Sequence, residues 1–187
     1  MKLLVVLTLA AAALAAYLWW RARRSDHSAA KVTCPLGIKD GDVVTIAGRD
    51  HLVIGTVHHT EDGYHWFEHL LEDDTRRWIS VEADEGELEI VLWHPAEGLE
   101  RTDQLPGSRV TVDGTTYSSD ELGTSRFNAT GATGLPATGT AHYADYANGS
   151  KRLSYERYTA NGLWEPALGT VLACSEITVW SRPAEDA

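Results

Sequence analysis

Four of the five Asx-Gly dipeptides in the body of this chain separate short β-rich runs, and their spacing constrains the fold more than any other feature. Asn or Asp followed by Gly supplies the positive φ values that two-residue hairpins need. No stretch between these turns has a long apolar pattern of period 3.6, so helices are not expected there. These four dipeptides are Asp62-Gly63, Asp113-Gly114, Asn148-Gly149 and Asn161-Gly162.

The runs around these turns predict an all-β domain over residues 32–182, followed by a short tail at 183–187. Short, closely spaced strands joined by turn signals are typical of an antiparallel sandwich or a partly closed barrel. Residues 123–139, "GTSRFNATGATGLPATG", hold few large apolar side chains. We expect them to form a long connection between two halves of the domain.

A short pattern occurs once in each of these halves. Residues 66–68 read Trp-x-Glu and precede Ile-Ser-Val-Glu at 79–82. Residues 143–145 read Tyr-x-Asp and precede Leu-Ser-Tyr-Glu at 153–156. An aromatic-x-acid element, a hairpin and an apolar-Ser-x-Glu element are thus repeated, which indicates a duplicated pair of strands.

The N-terminal segment differs sharply from the body. Residues 3–20 carry no charge, and as a helix they would extend about 27 Å, close to the hydrocarbon thickness of a bilayer. Aromatic residues and an Arg cluster follow at 17–24. We expect an uncleaved single-pass anchor at 1–24 and a linker at 25–31. A signal peptide cleaved near residues 13–15 is the alternative. The positive-inside rule then puts the β domain in the cytoplasm, by a margin of one charge.

The charge of the body argues against one class of partner. The chain has 16 Lys and Arg against 27 Asp and Glu, and the first 24 residues hold four of the basic residues and no acid. The remainder therefore has a formal balance of −15. Phosphate backbones repel such a surface, so nucleic-acid binding is not expected.

The two cysteines, Cys34 and Cys174, are far apart in sequence and belong to no CxxC or zinc-type spacing. Two cysteines do not make a disulfide framework. We expect two largely inert thiols, with one long-range disulfide as the alternative for a domain in an oxidising compartment.

Strand alternation indicates which side chains share the inner face. Between residues 64 and 71, Trp66 and Glu68 fall on one face, and in the next run Trp78 and Glu82 share a face. A carboxylate between apolar neighbours needs a partner or has a raised pKa. We expect Glu68 and Glu82 to be structural acceptors or rim groups. The alternative, a hydrolase that uses them as general acid and base, lacks a nucleophile elbow or any second catalytic element.

Aromatic side chains and carboxylates of both repeats would line a pocket if the inner faces meet. A pocket of this kind could hold an amine through cation–π contacts and ion pairs. The candidate ligand-binding residues are Trp66, Glu68, Trp78, Glu82, Tyr143, Tyr155 and Glu156.

Four of the eight histidines lie within twelve residues, at 58, 59, 65 and 69. Two of them with Glu61 or Asp62 could approach a metal ion. His65 and His69 are four residues apart on a strand, about 13 Å, which is too far to share one ion unaided. We therefore expect an exposed polar face, with no metal and no cofactor.

Several of these elements together resemble the bacterial family named domain of unknown function 4178. The resemblance covers most of residues 36–180. It is carried by "GTVHHTEDGYHWFEHLLEDDTRRWISVE", "VTVDGTTY", "AHYADYANGSKRLSYERY" and "WEPALGTVLACSEITVW". It implies a mainly β domain without an assigned activity, with members often encoded beside small membrane proteins and polyamine-synthase-like proteins.

These observations predict a non-enzymatic protein. Its expected role is that of a membrane-anchored accessory or scaffold module that binds another membrane or envelope protein, since an anchor raises local concentration at the bilayer. A β domain that binds a small ligand or a polyamine is the alternative.

Overall fold

The computed structural model describes residues 37–84 and 86–181. They form an all-β domain of eleven antiparallel strands. The strands are β1 (Val43–Ile46), β2 (Arg49–Glu61), β3 (Tyr64–Leu71), β4 (Arg77–Asp84), β5 (Glu87–Pro95), β6 (Arg109–Val112), β7 (Thr115–Gly131), β8 (Thr138–Asn148), β9 (Lys151–Arg157), β10 (Glu165–Leu172) and β11 (Ile177–Trp180). A short 3₁₀ turn, Cys174–Glu176, precedes β11.

Eight of these strands close into a barrel in the order β2-β3-β4-β5-β10-β9-β8-β7 and back to β2. The barrel consists of two four-stranded meanders, β2–β5 and β7–β10, which meet at the β2–β7 and β5–β10 pairs. Strands β1 and β11 extend from the start of β2, and β6 pairs with β7. The β class is confirmed, and of the two predicted architectures the barrel is the one found, closed rather than partly closed.

The Asx-Gly turns were predicted with mixed success. Asp62-Gly63 and Asp113-Gly114 both have positive φ at each residue and join β2 to β3 and β6 to β7. In the third hairpin the two-residue turn is Gly149-Ser150, one position later than expected. Asn161-Gly162 belongs to a longer loop between β9 and β10, where Gly162 has no positive φ.

The expected connection at residues 123–139 is wrong. Strand β7 runs through to Gly131, and β8 begins at Thr138, so this segment is a hairpin with paired flanks. Small residues are needed here for packing: Gly123 lies under the ring of Tyr143, and Gly139 lies under the ring of Phe127. The two meanders are joined instead by the chain between β5 and β7.

The main apolar cores lie outside the barrel wall. Ile79 and Val81 of β4 point outward and pack under β1 and β11. Leu153 and Tyr155 of β9 point outward and pack under β6 and Trp164. Because side chains alternate along a strand, the intervening residues of β4 and β9 point into the barrel, and many of these are polar.

Cys174 is disulfide-bonded, so it is not the free thiol that was expected. Cys34, the other cysteine in the sequence, lies outside the described residues. The predicted anchor at 1–24, the linker at 25–31 and the tail at 183–187 also lie outside them. Among the helices of residues 37–84 and 86–181, none has the length and apolarity to cross a membrane.

Candidate functional site: an acidic cavity in the barrel

The barrel encloses a cavity of about 250 Å³ between its two meanders. The repeated sequence elements form its walls with the same register in both halves. Trp66 lies opposite Glu82 in the β3–β4 pair, and Tyr143 lies opposite Glu156 in the β8–β9 pair. In each half the next inward acid faces a serine, so the predicted duplication is present as a paired arrangement of strands.

Negative side chains dominate the lining of this cavity. Arg152 is the only arginine or lysine in the lining among the described residues, and its guanidinium is bound to Glu89 by bonds of 2.6 and 3.1 Å. Positive charge at the wall is therefore largely neutralised in place. Nine carboxyl side chains line the cavity: Glu61, Asp62, Glu68, Glu82, Glu89, Asp120, Glu121, Asp145 and Glu156.

Aromatic rings form one side of the cavity. The indole of Trp66 stacks on His59 with a centroid distance of 4.8 Å and meets Tyr143 edge-on at 5.6 Å. The hydroxyl of Tyr143 donates to Glu61 at 2.7 Å and lies 3.2 Å from Glu121. Burial and these two carboxylates raise the pKa of Tyr143, so its hydroxyl stays a donor.

A buried carboxyl group, that of Glu68, and a half-buried one, that of Glu156, come from different meanders and meet at one tyrosine. The hydroxyl of Tyr158 lies 2.9 Å from Oε2 of Glu156 and 3.4 Å from Oε2 of Glu68. On its other side Glu68 lies 3.7 Å from Nε2 of His59. The imidazole is held in place by a bond of 2.9 Å between its Nδ1 and Ser125.

The two carboxyl groups have opposite pKa shifts. Burial, reinforced by the charges of Glu68 and Asp145, raises the pKa of Glu156 well above its ordinary value. Burial acts in the same direction on Glu68, but the interactions with His59, Glu156 and Tyr158 outweigh it and lower the pKa of Glu68. When the pair holds one proton, that proton therefore lies on Glu156 and the negative charge on Glu68.

A third inward acid is also strongly affected. Burial, with the charges of Glu121, Glu68 and Glu82 adding to it, raises the pKa of Asp145 to about 7. Asp145 thus changes its charge in the neutral range, where an ordinary aspartate is fully ionised. The carboxyl groups that line the cavity are therefore not all ionised at neutral pH.

A second, smaller cavity of about 90 Å³ adjoins the first. Glu68 and Glu156 line both cavities, so this pair lies at the boundary between them. The smaller cavity is otherwise more apolar, with Trp78 and Tyr158 in its wall, and Arg76 contributes a positive charge.

The structure brings together five of the seven candidate residues at the main cavity: Trp66, Glu68, Glu82, Tyr143 and Glu156. Trp78 lines the smaller cavity and stacks on Trp93 at 6.3 Å. Tyr155 does not belong to the site. It points outward into the core with Tyr146 and Trp164, because it follows the inward Ser154 along β9.

Sequence reasoning missed His59, Asp145 and Tyr158. Asp145 could have been predicted, since it occupies in the second repeat the position that Glu68 occupies in the first. His59 could also have been predicted by a local argument, since the Asp62-Gly63 hairpin pairs β2 with β3 and sets His59 beside Glu68. The contact of Tyr158 with Glu68 depends instead on closure of the barrel, which brings the end of β9 near β3, and no local pattern signals it.

The histidine cluster is not the exposed face that was expected. His59 and His69 are both 2% exposed, on opposite faces of the wall. His69 packs outside the barrel, 3.0 Å from the hydroxyl of Thr56, and burial lowers its pKa to about 4. His58 stacks on Phe67 at 4.5 Å. In residues 37–84 and 86–181, no three His, Cys, Asp or Glu side chains are grouped as ligands of a metal ion.

Comparison with known proteins agrees with the resemblance in the sequence. The family model described as "Domain of unknown function (DUF4178)" matches residues 39–173, and the chain belongs to this family. It is similar to uncharacterized proteins of Mycobacterium tuberculosis and Mycobacterium bovis, with 37% identity over 158 residues. The match covers 80% of this chain and 74% of each relative. No solved structure matches it.

Proposed function

We propose that this domain binds a small organic cation, an amine or a polyamine, inside its acidic barrel. The observation that carries the proposal is the charge of the cavity wall. Nine carboxyl groups face one arginine, and that arginine is already paired with Glu89. A partly desolvated site of this kind attracts positive charge more strongly than the same groups in bulk water do.

The shape and the aromatic wall support the same class of ligand. The volume of about 250 Å³ is below the range of roughly 300–1,000 Å³ that is usual for drug-sized ligands. A slender aliphatic ammonium compound suits it better than a bulky one. Trp66 and Tyr143 offer ring faces and edges beside the carboxylates, a combination that favours cations through cation–π attraction.

A hydrolase that uses Glu68 and Glu82 has less support than a binding role. Glu68 is buried beside His59, whereas Glu82 is exposed near the mouth. Ser125 bonds to His59, but it is 1% exposed and does not line the cavity, so a substrate in the cavity would not reach it. The proposal therefore remains non-enzymatic.

The membrane context is proposed on the sequence alone. Residues 3–20 would anchor the domain, and an accessory role beside another membrane protein stays a prediction. The expected cytoplasmic side also stays a prediction, and the disulfide at Cys174 favours the opposite side because disulfides persist mainly in oxidising compartments. Reduction and thiol labelling of intact cells with membrane-impermeant reagents would show on which side of the membrane the domain lies. Labelling of Cys174 would contradict the cytoplasmic side.

The binding proposal is tested by calorimetric titration of the full-length protein, in a non-ionic detergent, with putrescine and with spermidine. We expect saturable binding to the wild type and to Glu97→Gln, which removes an exposed carboxylate outside both cavities. Glu68→Gln should weaken binding about tenfold or more, or about 1.4 kcal/mol. No saturable heat with the wild type, or equal affinity in both variants, would contradict the proposal. Near-ultraviolet circular dichroism would verify that each variant is folded.

A further inference from the structure

Glu68 and Glu156 lie at the boundary between the two cavities of the acidic interior. They come from β3 and β9, on different meanders, and each lines both cavities. A single hydroxyl, that of Tyr158, lies within 3.4 Å of both carboxyl groups. A ligand that enters from the larger cavity meets this pair before it reaches the smaller one.

The groups around the pair leave it short of positive charge. From β2, His59 approaches Glu68 at 3.7 Å, and from β8, Asp145 adds a further carboxyl group. Tyr158 supplies a neutral hydroxyl. Arg76 lies in the wall of the smaller cavity and has no ion pair with either acid in the described part of the chain. A proton bound to Glu156 would compensate one of the two charges.

Two other buried polar atoms in the wall also need a partner. Nε2 of His59 and Oγ of Ser154 are almost completely buried, and among the described residues neither has a partner at full hydrogen-bond geometry, although each lies beside a carboxyl group, Glu68 and Asp145 respectively. Buried polar atoms are usually satisfied, because an unpaired one costs about 1–3 kcal/mol. Both atoms lie in the wall of the larger cavity, Nε2 of His59 3.7 Å from Glu68 and Ser154 opposite Asp145, so a polar ligand between these acids could also bond to them.

We propose that Glu68 and Glu156 form an inner cation subsite, which is occupied either by one proton or by an ammonium group of the ligand. The proposal rests on the proposed function. When the ammonium group enters, the O–H bond of Glu156 breaks and its proton passes to the solvent. The ammonium group keeps its own protons and donates them to the two carboxylates, and no other bond changes. Binding of the cation is thereby coupled to the release of a proton.

The test is calorimetric titration of the full-length protein with putrescine at pH 7, in phosphate and in Tris, whose protonation enthalpies differ. Both amines of the ligand stay charged, since their pKa values are near that of lysine, about 10.4. A difference in apparent enthalpy that corresponds to about one proton released per ligand, with affinity rising up to about tenfold per pH unit, is the expected result.

Variants locate the source of the proton. Because Asp145 in the same cavity also titrates near pH 7, the variants are compared in an Asp145→Asn background. There Glu156→Gln should bind putrescine with nearly equal enthalpies in the two buffers, while Glu97→Gln should keep the difference of the background protein. Equal enthalpies for the wild type in both buffers would overturn the inference, whether or not Glu156→Gln folds. Proton release that persists in a folded Glu156→Gln, Asp145→Asn protein would overturn it as well. Absence of binding in either buffer would instead refute the proposed function.

Discussion

Glu68 and Asp145 occupy equivalent positions in the two halves of the barrel, each directly opposite a serine of the next strand. Their protonation nevertheless differs. Glu68 has His59 beside it, and its pKa is lowered, whereas Asp145 faces Glu121 across the β7–β8 pair and its pKa is raised to about 7. A duplicated motif has thus produced two acids with different charges at neutral pH.

The raised pKa of Asp145 predicts a pH-dependent cost to stability. The folded state holds this proton more tightly than the unfolded chain, so stability falls as pH rises from about 4 to about 7. Asp145→Asn removes the loss and should stabilise the protein at pH 8 by on the order of 2–4 kcal/mol. Chemical denaturation of both proteins from pH 4 to 8 would measure the difference, which should shrink toward zero at pH 4.

Wild type and Asp145→Asn must be compared at each pH because His69 makes stability change with pH in the opposite direction. Burial lowers the pKa of His69 to about 4, so the wild type also loses stability as pH falls from about 6.5 to 4. This contribution is the same in wild type and Asp145→Asn and cancels in their difference. Asp120→Asn, at an exposed carboxylate of the same cavity, is the control and should show no such trend. A pH-independent effect of Asp145→Asn would contradict the assignment.

Arg152 should weaken the attraction of the cavity for cations. Its guanidinium is bound to Glu89 and to the carbonyl of Gly149 at 2.7 Å. Arg152→Gln leaves Glu89 uncompensated, and we expect putrescine to bind about three to ten times more tightly, or about 0.7–1.4 kcal/mol. The gain should diminish at high salt, because partly exposed charges are screened.

The control for that experiment is Arg109→Gln, which changes the net charge equally but lies on β6 and lines neither cavity. Equal gains in the two variants would show that net charge alone, and not the cavity, governs binding. Unchanged or weaker binding in a folded Arg152→Gln protein would contradict the electrostatic argument for the site.

Glycines beneath aromatic rings should be as important as large core residues. A Cβ added to Gly139 would lie 2.6 Å from two ring carbons of Phe127, which is 1% exposed. Gly139→Ala should therefore destabilise the fold by about 1–3 kcal/mol, as overpacking does. Gly107→Ala is a matched control, since its Cβ would meet no atom within 4 Å and its φ is not positive. Equal urea midpoints for the two variants would contradict this interpretation.

Most of the strands and the paired repeat were predictable from the sequence because they depend on local signals. Alternation in β3 and β4 assigns Trp66 and Glu82 to the inner face, and the structure confirms it. The same alternation places Tyr155 on the outer face of β9, but an aromatic residue between two inward polar ones was mistaken for part of the pocket. Small residues at 123–139 were read as a loop, although they are strand positions beneath Tyr143 and Phe127.

Other features depend on closure of the barrel and have no local signature. The approach of Tyr158, just beyond the end of β9, to Glu68 of β3 joins residues that are 90 positions apart and lie on different meanders. Whether a carboxyl group keeps its proton depends on such contacts and on burial. A sequence pattern gives neither of them.

A substitution of Leu153 tests whether the stability of the fold can change without a change in ligand binding. Its side chain is 0% exposed in the outer core, while its neighbour Ser154 points into the barrel. Leu153→Ala should lower the free energy of unfolding by about 2–5 kcal/mol. Leu122→Ala, at a side chain that is 69% exposed, should change it by less than about 0.5 kcal/mol.

Because Leu153 faces away from the cavity, the folded fraction of Leu153→Ala should bind putrescine with wild-type affinity. A stability change equal to that of Leu122→Ala would contradict an outer core, and a large loss of affinity in folded Leu153→Ala would show that wall and interior are coupled.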